Sequence, residues 1–436
     1  MLFRNRRILF VLVLACALTA LGAEPFEFAW PQWRGPNLNG SSSVARNLPV
    51  TWSATENVAW RVALPSWSAA TPAIWGDTVF VTSAEEGFDG SKAETNDKIL
   101  LLAISREDGS VRWQRVIGSG NQTRRKQNLT SPSPITDGRH VWSMTGSGSL
   151  QCHDFNGKEI WSRDIQGDFG DFGLNHGYAS SPLLYRGKLY LQVLHGMRTD
   201  APSYVVAIEK ATGKDAWRVE RPTDAVFESP DSYSTPTIVV IGGKPQLVVL
   251  GGDYVTGHDL DKGAEIWRMG GLNPERHRFY RTIASALTIG DVVYASSTRG
   301  KPFLAFRPTG TGLLPSSAVL WKNELGSDVP TPVTDGKRIF VVNDRGIVVA
   351  LDAQTGHISW DRQRIEAGTY SSSPLLADGK IYAVNEEGST TVLSAGDDFE
   401  VLAVNRLDSR TLASPVAVGN QLFIRTADAL YCLAKK

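Results

Sequence analysis

The chain is poor in cysteine and methionine, with three and four of them in 436 residues, and it carries no net charge, 45 Lys and Arg standing against 45 Asp and Glu. Three cysteines cannot build a disulfide framework, and no Cys-x-x-Cys-His is present to attach haem. The charge balance removes the general electrostatic case for a nucleic-acid partner. Beyond the first two dozen residues there is no long apolar run, which excludes a multi-span membrane protein. With 42% apolar and 21% charged residues, disorder and collagen-like organisation are excluded as well. What is plentiful is glycine (41), proline (22) and tryptophan (13), a composition of many short elements joined by tight turns and unlike that of a helical bundle.

The N-terminus reads Met1-Leu2-Phe3-Arg4-Asn5-Arg6-Arg7, runs apolar from Ile8 to Leu21, and then continues Gly22-Ala23-Glu24-Pro25. A basic start, a short apolar run and small residues at its end describe a secretory signal peptide over 1–23, cleaved near Ala23. The run falls short of the ~20 residues that a spanning helix requires. Cys16 is an alternative site for lipid anchoring, but residues 17–21 stay apolar where an anchored arm turns polar. The expectation is an exported chain of the periplasm or cell envelope, with no transmembrane span in its mature form. Loss of the three leader arginines makes that form slightly acidic, and an N-terminal arm over 24–57 precedes the main domain.

That domain, residues 58–436, is a repeat of about 50 residues. Its clearest copy runs from Thr331-Pro332 through Asp335-Gly336 and an aromatic β-branched piece to Ala350-Leu351-Asp352-Ala353-Gln354-Thr355-Gly356, and it closes at Trp360. Four short strands separated by Asp-Gly and Thr-Gly turns are readable in it. Proline followed eight residues later by an aromatic recurs as Pro72/Phe80, Pro134/Trp142, Pro182/Tyr190, Pro332/Phe340, Pro374/Tyr382 and Pro415/Phe423, while Ala286/Tyr294 and a longer hairpin after Pro236 complete eight starts. A small position follows as Ala103, Cys152, Ala207, Gly257, Ala305, Ala350, Val392 and Cys432. The closing aromatic is Trp113, Trp161, Trp217, Trp267, Trp321 and Trp360, with Phe399 as the substitute in the seventh copy. The eighth copy lacks its fourth strand, and Val58-Ala59-Trp60-Arg61-Val62 has the form of one. The reading is all-β: an eight-bladed propeller closed by an N-terminal strand, with seven blades as the alternative.

The residues from Ala350 to Trp360 resemble the pyrroloquinoline-quinone (PQQ) type propeller repeat, whose hallmark is Ala-x-Asp-x-x-Thr-Gly-x-x-x-Trp. The arm Trp30-Pro31-Gln32-Trp33-Arg34-Gly35-Pro36-Asn37, with Leu48-Pro49 and Trp52, resembles that of exported bacterial proteins carrying only this propeller. Quinoprotein dehydrogenases and BamB, the lipoprotein of the outer-membrane β-barrel assembly machinery, share the fold, which does not by itself transfer a function. A dehydrogenase would imply PQQ and calcium in the central channel, a catalytic Asp and two adjacent cysteines. Cys152 and Cys432 occupy equivalent positions of the second and eighth copies, two blades apart. No dense carboxylate cluster offers the six to eight oxygens that calcium takes; Asp168 to Gly173 is the nearest approach. No catalytic, cofactor-binding or metal-binding residue is therefore assigned, and the seven histidines show no ligand spacing.

Closing tryptophans that recur once per copy read as inter-blade packing, and recurrent Ser/Thr-Pro starts such as Ser181-Pro182 read as structural. His153 and His258 stand at blade-core positions. Trp30, Trp33, Trp52, Trp67 and Trp75 fall outside the register and are expected to fasten the arm and first blade. Insertions concentrate in the second turns and inter-blade connections, at 83–98, 118–130, 167–178, 195–203, 221–233 and 270–281, all on one face, and variable loops on a repeating scaffold carry function. Arg124, Arg125, His176, Tyr178, Tyr233, Arg276, His277, Arg278, Arg281 and Tyr370 are the candidate partner-binding rim. Because basic and acidic loops alternate there, the rim suits an envelope protein or peptide, or a polar small molecule. The expectation is a non-catalytic, monomeric binding or assembly scaffold without a cofactor; the alternative is a PQQ-dependent dehydrogenase with calcium.

Overall fold

The computed structural model describes residues 28–87 and 98–435. The expected signal peptide over 1–23, with Cys16, lies outside the described residues. Eight antiparallel sheets, each with a core of four strands, follow one another along the chain and form eight blades. Seven are continuous: 73–118, 135–164, 183–220, 237–269, 287–323, 333–364 and 375–406. The eighth takes three strands from 416–433 and its fourth from Val58–Ala63, which pairs antiparallel with Ala429–Leu433. The two ends of the domain are thereby joined through a shared sheet, and the seven-bladed alternative is excluded.

Each blade is organised by one cross-strand row. In the sixth, Val333 faces Phe340, Phe340 faces Ala350, and Ala350 faces Trp360. The same row reads Ile135, Trp142, Cys152, Trp161 in the second blade and Val416, Phe423, Cys432, Trp60 in the eighth. Side chains directly opposite on one face of a sheet touch, so in six blades two large rings flank the central residue and that residue must be small; in the fourth blade Val248 stands in place of the first ring. Phe340 and Trp360 close over Ala350 with ring centroids 5.3 Å apart. In the fourth blade the central residue is Gly257, where an added Cβ would come within 2.0 Å of Trp267.

The closing tryptophans also tie blade to blade. Trp60, Trp113, Trp161, Trp217 and Trp321 each donate the indole N–H to a carbonyl in the next blade's third turn, at 2.8 to 3.0 Å. Trp321 lies against Gly356, whose φ of +72° and 2.8 Å clearance from the indole leave no room for a side chain. This contact accounts for both ends of the Thr-Gly-x-x-x-Trp hallmark.

The seventh blade departs from expectation. Its row runs Leu375, Tyr382, Val392, Ala403, so the closing-strand position belongs to Ala403 and not to Phe399. Phe399 precedes that strand and packs edge-on against Trp360 at 5.6 Å. A larger central residue, Val392, accompanies the smaller Ala403, and the missing ring comes from the arm: Trp52 stacks on Tyr382 at 6.3 Å. Its backbone N–H donates to Asn405 Oδ1 at 2.8 Å, and Asn405 Nδ2 donates back to the Val50 carbonyl at 2.9 Å.

The arm crosses the channel. Ala29–Trp30 pairs antiparallel with the inner strand of blade 1, and Ser41–Ser42 pairs parallel with that of blade 7. Between them Pro31 accepts from Thr136 N–H in blade 2, and Gln32 Oε1 accepts from Leu184 N–H in blade 3. The buried Arg34 guanidinium donates to the carbonyls of Pro332 and Pro374 at the starts of blades 6 and 7. These contacts lie toward the Asp-Gly turns, and they close that end of the channel. One further long turn lies on this face: residues 307–318 of blade 5 reach back, and Gly312–Leu313 pairs with the outer strand of blade 4. The expected concentration of insertions on the opposite face thus has this exception.

Candidate binding cup and loop face

Closing one end of the channel leaves a cup at the other, where the inner strands begin. Its wall is built on the residue just before each recurrent proline, or before Ala286 in the fifth blade. Ser133 Oγ accepts the Thr71 backbone N–H at 3.0 Å, and Ser181 Oγ accepts that of Ser133 at 2.9 Å. Thr235, Ser285, Thr331, Ser373 and Ser414 continue the pattern blade after blade at 2.8 to 3.0 Å. The start of an inner strand has no ladder partner toward the axis, so its N–H must be satisfied by a side chain, and the next blade's hydroxyl does so. This explains why Ser/Thr-Pro recurs, and it makes a belt of hydroxyls around the axis.

The cup has a volume of about 450 Å³, in the range of small-ligand sites. Trp33 of the arm forms part of its lining, with the seven belt hydroxyls in the wall. Two residues before each belt position lies a second tier, Ala69, Ser131, Ala179, Tyr233, Ile283, Val329, Ser371 and Leu412, which is mostly apolar. Charges sit at the mouth: Arg124, Arg125, Lys126, His176 and Arg281 come from the connections after blades 1, 2 and 4, while Asp328 and Asp344 come from the region of blades 5 and 6. The Thr123–Asn128 hairpin that carries the arginines reaches Glu386 of blade 7 through Lys126 Nζ at 2.9 Å.

Behind the mouth lies a polar network. Glu228 Oε1 is 3.3 Å from His176 Nε2 and 3.8 Å from Arg281 Nε. Burial, with the Arg281 charge beside it, holds the His176 imidazole below its usual pKa. Buried Asp231 accepts from the backbone N–H groups of Asn175, Gly196 and Met197, yet burial still pushes its pKa up to about 6. Burial also raises the Asp328 carboxyl. Arg281 Nε and Asp328 Oδ1 are both buried and make no hydrogen bond among the described residues.

The ten rim residues separate into three groups. Arg124, Arg125, His176, Tyr233 and Arg281 line the cup. Arg276, His277 and Arg278 stand outside it on the loop face, where Arg276 pairs with Asp224 at 2.9 Å and Arg278 lies 4.1 Å over the Phe227 ring. Tyr178 and Tyr370 do not reach the mouth: both are buried in the wall, Tyr178 stacked on Phe172 at 4.6 Å and Tyr370 donating its hydroxyl to the Glu366 carbonyl at 2.8 Å. Each precedes an inner strand and turns into the gap between blades, the packing role that its recurrence suggested. Sequence reasoning missed Asp328, Asp344, Lys126 and Trp33 as cup residues. It also missed Val226, Phe227 and Phe279, which are 51%, 37% and 47% exposed and form, with Arg278, an apolar knob on the loop face.

Cys152 and Cys432 are buried free thiols in different blades, each pushed up to about 12 by burial. His153 and His258 are buried blade residues. Among the described residues no group of three or more His, Cys, Asp or Glu side chains converges as a metal site. The cup's two carboxylates, one with an unpartnered oxygen, fall well short of the oxygen set calcium requires, so the residues present do not fit a PQQ-calcium centre.

The family model described as "Outer membrane protein assembly factor BamB" matches residues 97–362. The chain belongs to the BamB family. BamB of Yersinia pestis is 23% identical over 371 residues, which cover 82% of this chain and 85% of that one. The crystal structure of BamB from Moraxella catarrhalis superposes with a TM-score of 0.58 at 14% identity, over 86% of this chain and 96% of that BamB. A europium-containing methanol dehydrogenase superposes with a TM-score of 0.69 at 11% identity, over 94% and 98%. At such identities these two structures share the propeller alone. No helix among the described residues is long and apolar enough to cross a membrane.

Proposed function

We propose that this chain is a non-catalytic, monomeric scaffold of the bacterial envelope that serves outer-membrane protein assembly by docking a protein partner on its loop face. The observation that carries this reading is the knob of exposed Phe227, Phe279 and Val226, with Arg278 against both rings. Aromatics and arginine are the residues that anchor protein interfaces. Adjacent Arg276, His277 and Asp224 form a polar surround. The relatives named as outer-membrane assembly factors support the assembly role, and their name supports an envelope location. A PQQ-dependent dehydrogenase finds less support, because the cup lacks the ligand set for calcium.

Affinity capture from envelope extract tests this, with wild type compared against the Phe227→Ala/Phe279→Ala double variant. Wild type is expected to retain outer-membrane assembly proteins, and the double variant to lose most of them while keeping its thermal transition. Equal recovery by both would exclude the knob as the docking surface.

A further inference from the structure

The belt hydroxyls are committed on one side only. Ser133, Ser181, Thr235, Ser285, Thr331, Ser373 and Ser414 each accept a backbone N–H from the preceding blade, and none of the seven donates its proton to an acceptor among the described residues. All seven line the cup, and most are buried. A buried hydroxyl with a free proton calls for an acceptor. The deep part of the cup is therefore a ring of donors that asks for oxygens.

The charges above it are committed only in part. The guanidinium groups of Arg124 and Arg125 have no hydrogen-bond or ion-pair partner among the described residues, whereas Lys126 between them and Glu386 is paired. Arg281, ion-paired with Glu228 at 3.8 Å, presents a buried Nε that makes no hydrogen bond, and Asp328 a buried Oδ1 that accepts none. The cup thus offers hydroxyl donors and cationic donors for an anionic oxygen group, and one carboxylate acceptor for an N–H. Between belt and mouth the tier of Ala69, Ala179, Ile283, Val329 and Leu412 suits short apolar side chains.

A peptide C-terminus has this set of groups: a terminal carboxylate, backbone carbonyls, and backbone N–H groups alternating with side chains. We infer that the cup is a binding site for the C-terminal end of a peptide chain, entering carboxylate first, with small apolar residues at its end. The belt hydroxyls receive the carboxylate at the floor, the guanidinium groups of Arg281 and Arg124 at the mouth supply the positive potential that draws it in, and Asp328 accepts a backbone N–H of the incoming segment. Charge-assisted hydrogen bonds of this kind are the stronger class, and a cup closed behind by Trp33 and the arm admits a chain end but not the middle of a folded protein. This deepens the reading of the loop face as a protein-docking surface and rests on it for the source of the peptide, but its test does not require the partner.

Isothermal titration of the full chain with tri-alanine as the free acid, as its C-terminal amide and as the N-acetylated acid separates the possibilities. The free acid and the N-acetylated acid are expected to bind comparably, and the amide roughly tenfold more weakly or worse. Arg281→Gln is expected to weaken the free acid by roughly tenfold while leaving amide binding unchanged. Should Arg281→Gln disturb folding, Arg124→Gln on the exposed hairpin provides the second variant, with the same selective loss of acid binding. The Phe227→Ala/Phe279→Ala variant is expected to bind tri-alanine as wild type does, so failure of the docking surface and failure of the cup are read separately. Equal binding of acid and amide, loss of binding on N-acetylation, or absence of binding by all three would each overturn the inference.

Discussion

Trp52 of the N-terminal arm stacks on Tyr382 of the seventh blade at 6.3 Å, and so takes over the packing that a closing-strand tryptophan provides in the other seven blades. The arm is thereby part of the propeller's core. Trp52 belongs to the same buried cluster as Tyr382, Val392 and the closing-strand Trp60.

Trp52→Ala is expected to destabilise the fold by about 3–5 kcal/mol, the usual cost of removing a buried tryptophan. Urea denaturation followed by tryptophan fluorescence measures this. Phe399→Ala, which removes a half-buried ring outside the cross-strand row, is expected to cost clearly less. Equal losses would restore Phe399 as the seventh closing residue.

The Thr-Gly turn and the preceding blade's tryptophan are expected to be coupled. Gly356→Ala places a Cβ 2.8 Å from the Trp321 ring at a φ of +72°, so left-handed strain and overpacking act together, about 2–4 kcal/mol in all. Gly76→Ala, at a φ of +56° with nothing within 4 Å, isolates the backbone term and is expected to cost only about 1 kcal/mol. Thermal melts of the two variants give the comparison.

Two buried groups oppose each other in acid. Burial pushes the His258 imidazole down to about 4, so below its unfolded value of 6.5 the unfolded chain binds a proton that the folded one refuses, and stability is lost as pH falls through that window. Burial pushes Asp231 up to about 6, so the folded chain takes a proton before the unfolded one does, and stability is gained as pH falls from 6 toward 3.8. Wild type is expected to show a shallow pH dependence between pH 7 and 5. His258→Gln removes its share of the first effect, and the urea midpoint at pH 5 relative to that at pH 7 is expected to be higher in the variant than in wild type. An unchanged difference between the two pH values would refute the assignment of a neutral, buried His258.

The blade count was legible because one physical constraint, a small residue between two rings, recurs in sequence at fixed spacing: Phe340, Ala350 and Trp360 state it once, and Phe423, Cys432 and Trp60 state it across the chain's two ends. Where the constraint was met by volume exchange, as with Val392 and Ala403, local spacing pointed to the wrong residue, Phe399. The cup was legible only in part. Arg124, His176 and Arg281 stood out as charges in long loops, but Trp33 and Asp328 reach the same cavity from segments about 300 residues apart, and only the path of the arm brings them together. Tyr178 and Tyr370 stand four residues before Pro182 and Pro374, whereas Tyr233 stands three before Pro236, and that offset of one turns the first two away from the cup, toward Phe172 and the Glu366 carbonyl.

A non-catalytic docking role for the loop face is tested most directly by site-specific photocrosslinking in cells, with the photoreactive residue placed at Phe279 on the knob or at Lys337 in an Asp-Gly turn of the opposite face. The expected result is a discrete adduct between position 279 and an outer-membrane assembly protein, with none from position 337. Adducts of equal yield from both positions, or none from position 279 in cells where the chain is folded and exported, would contradict it.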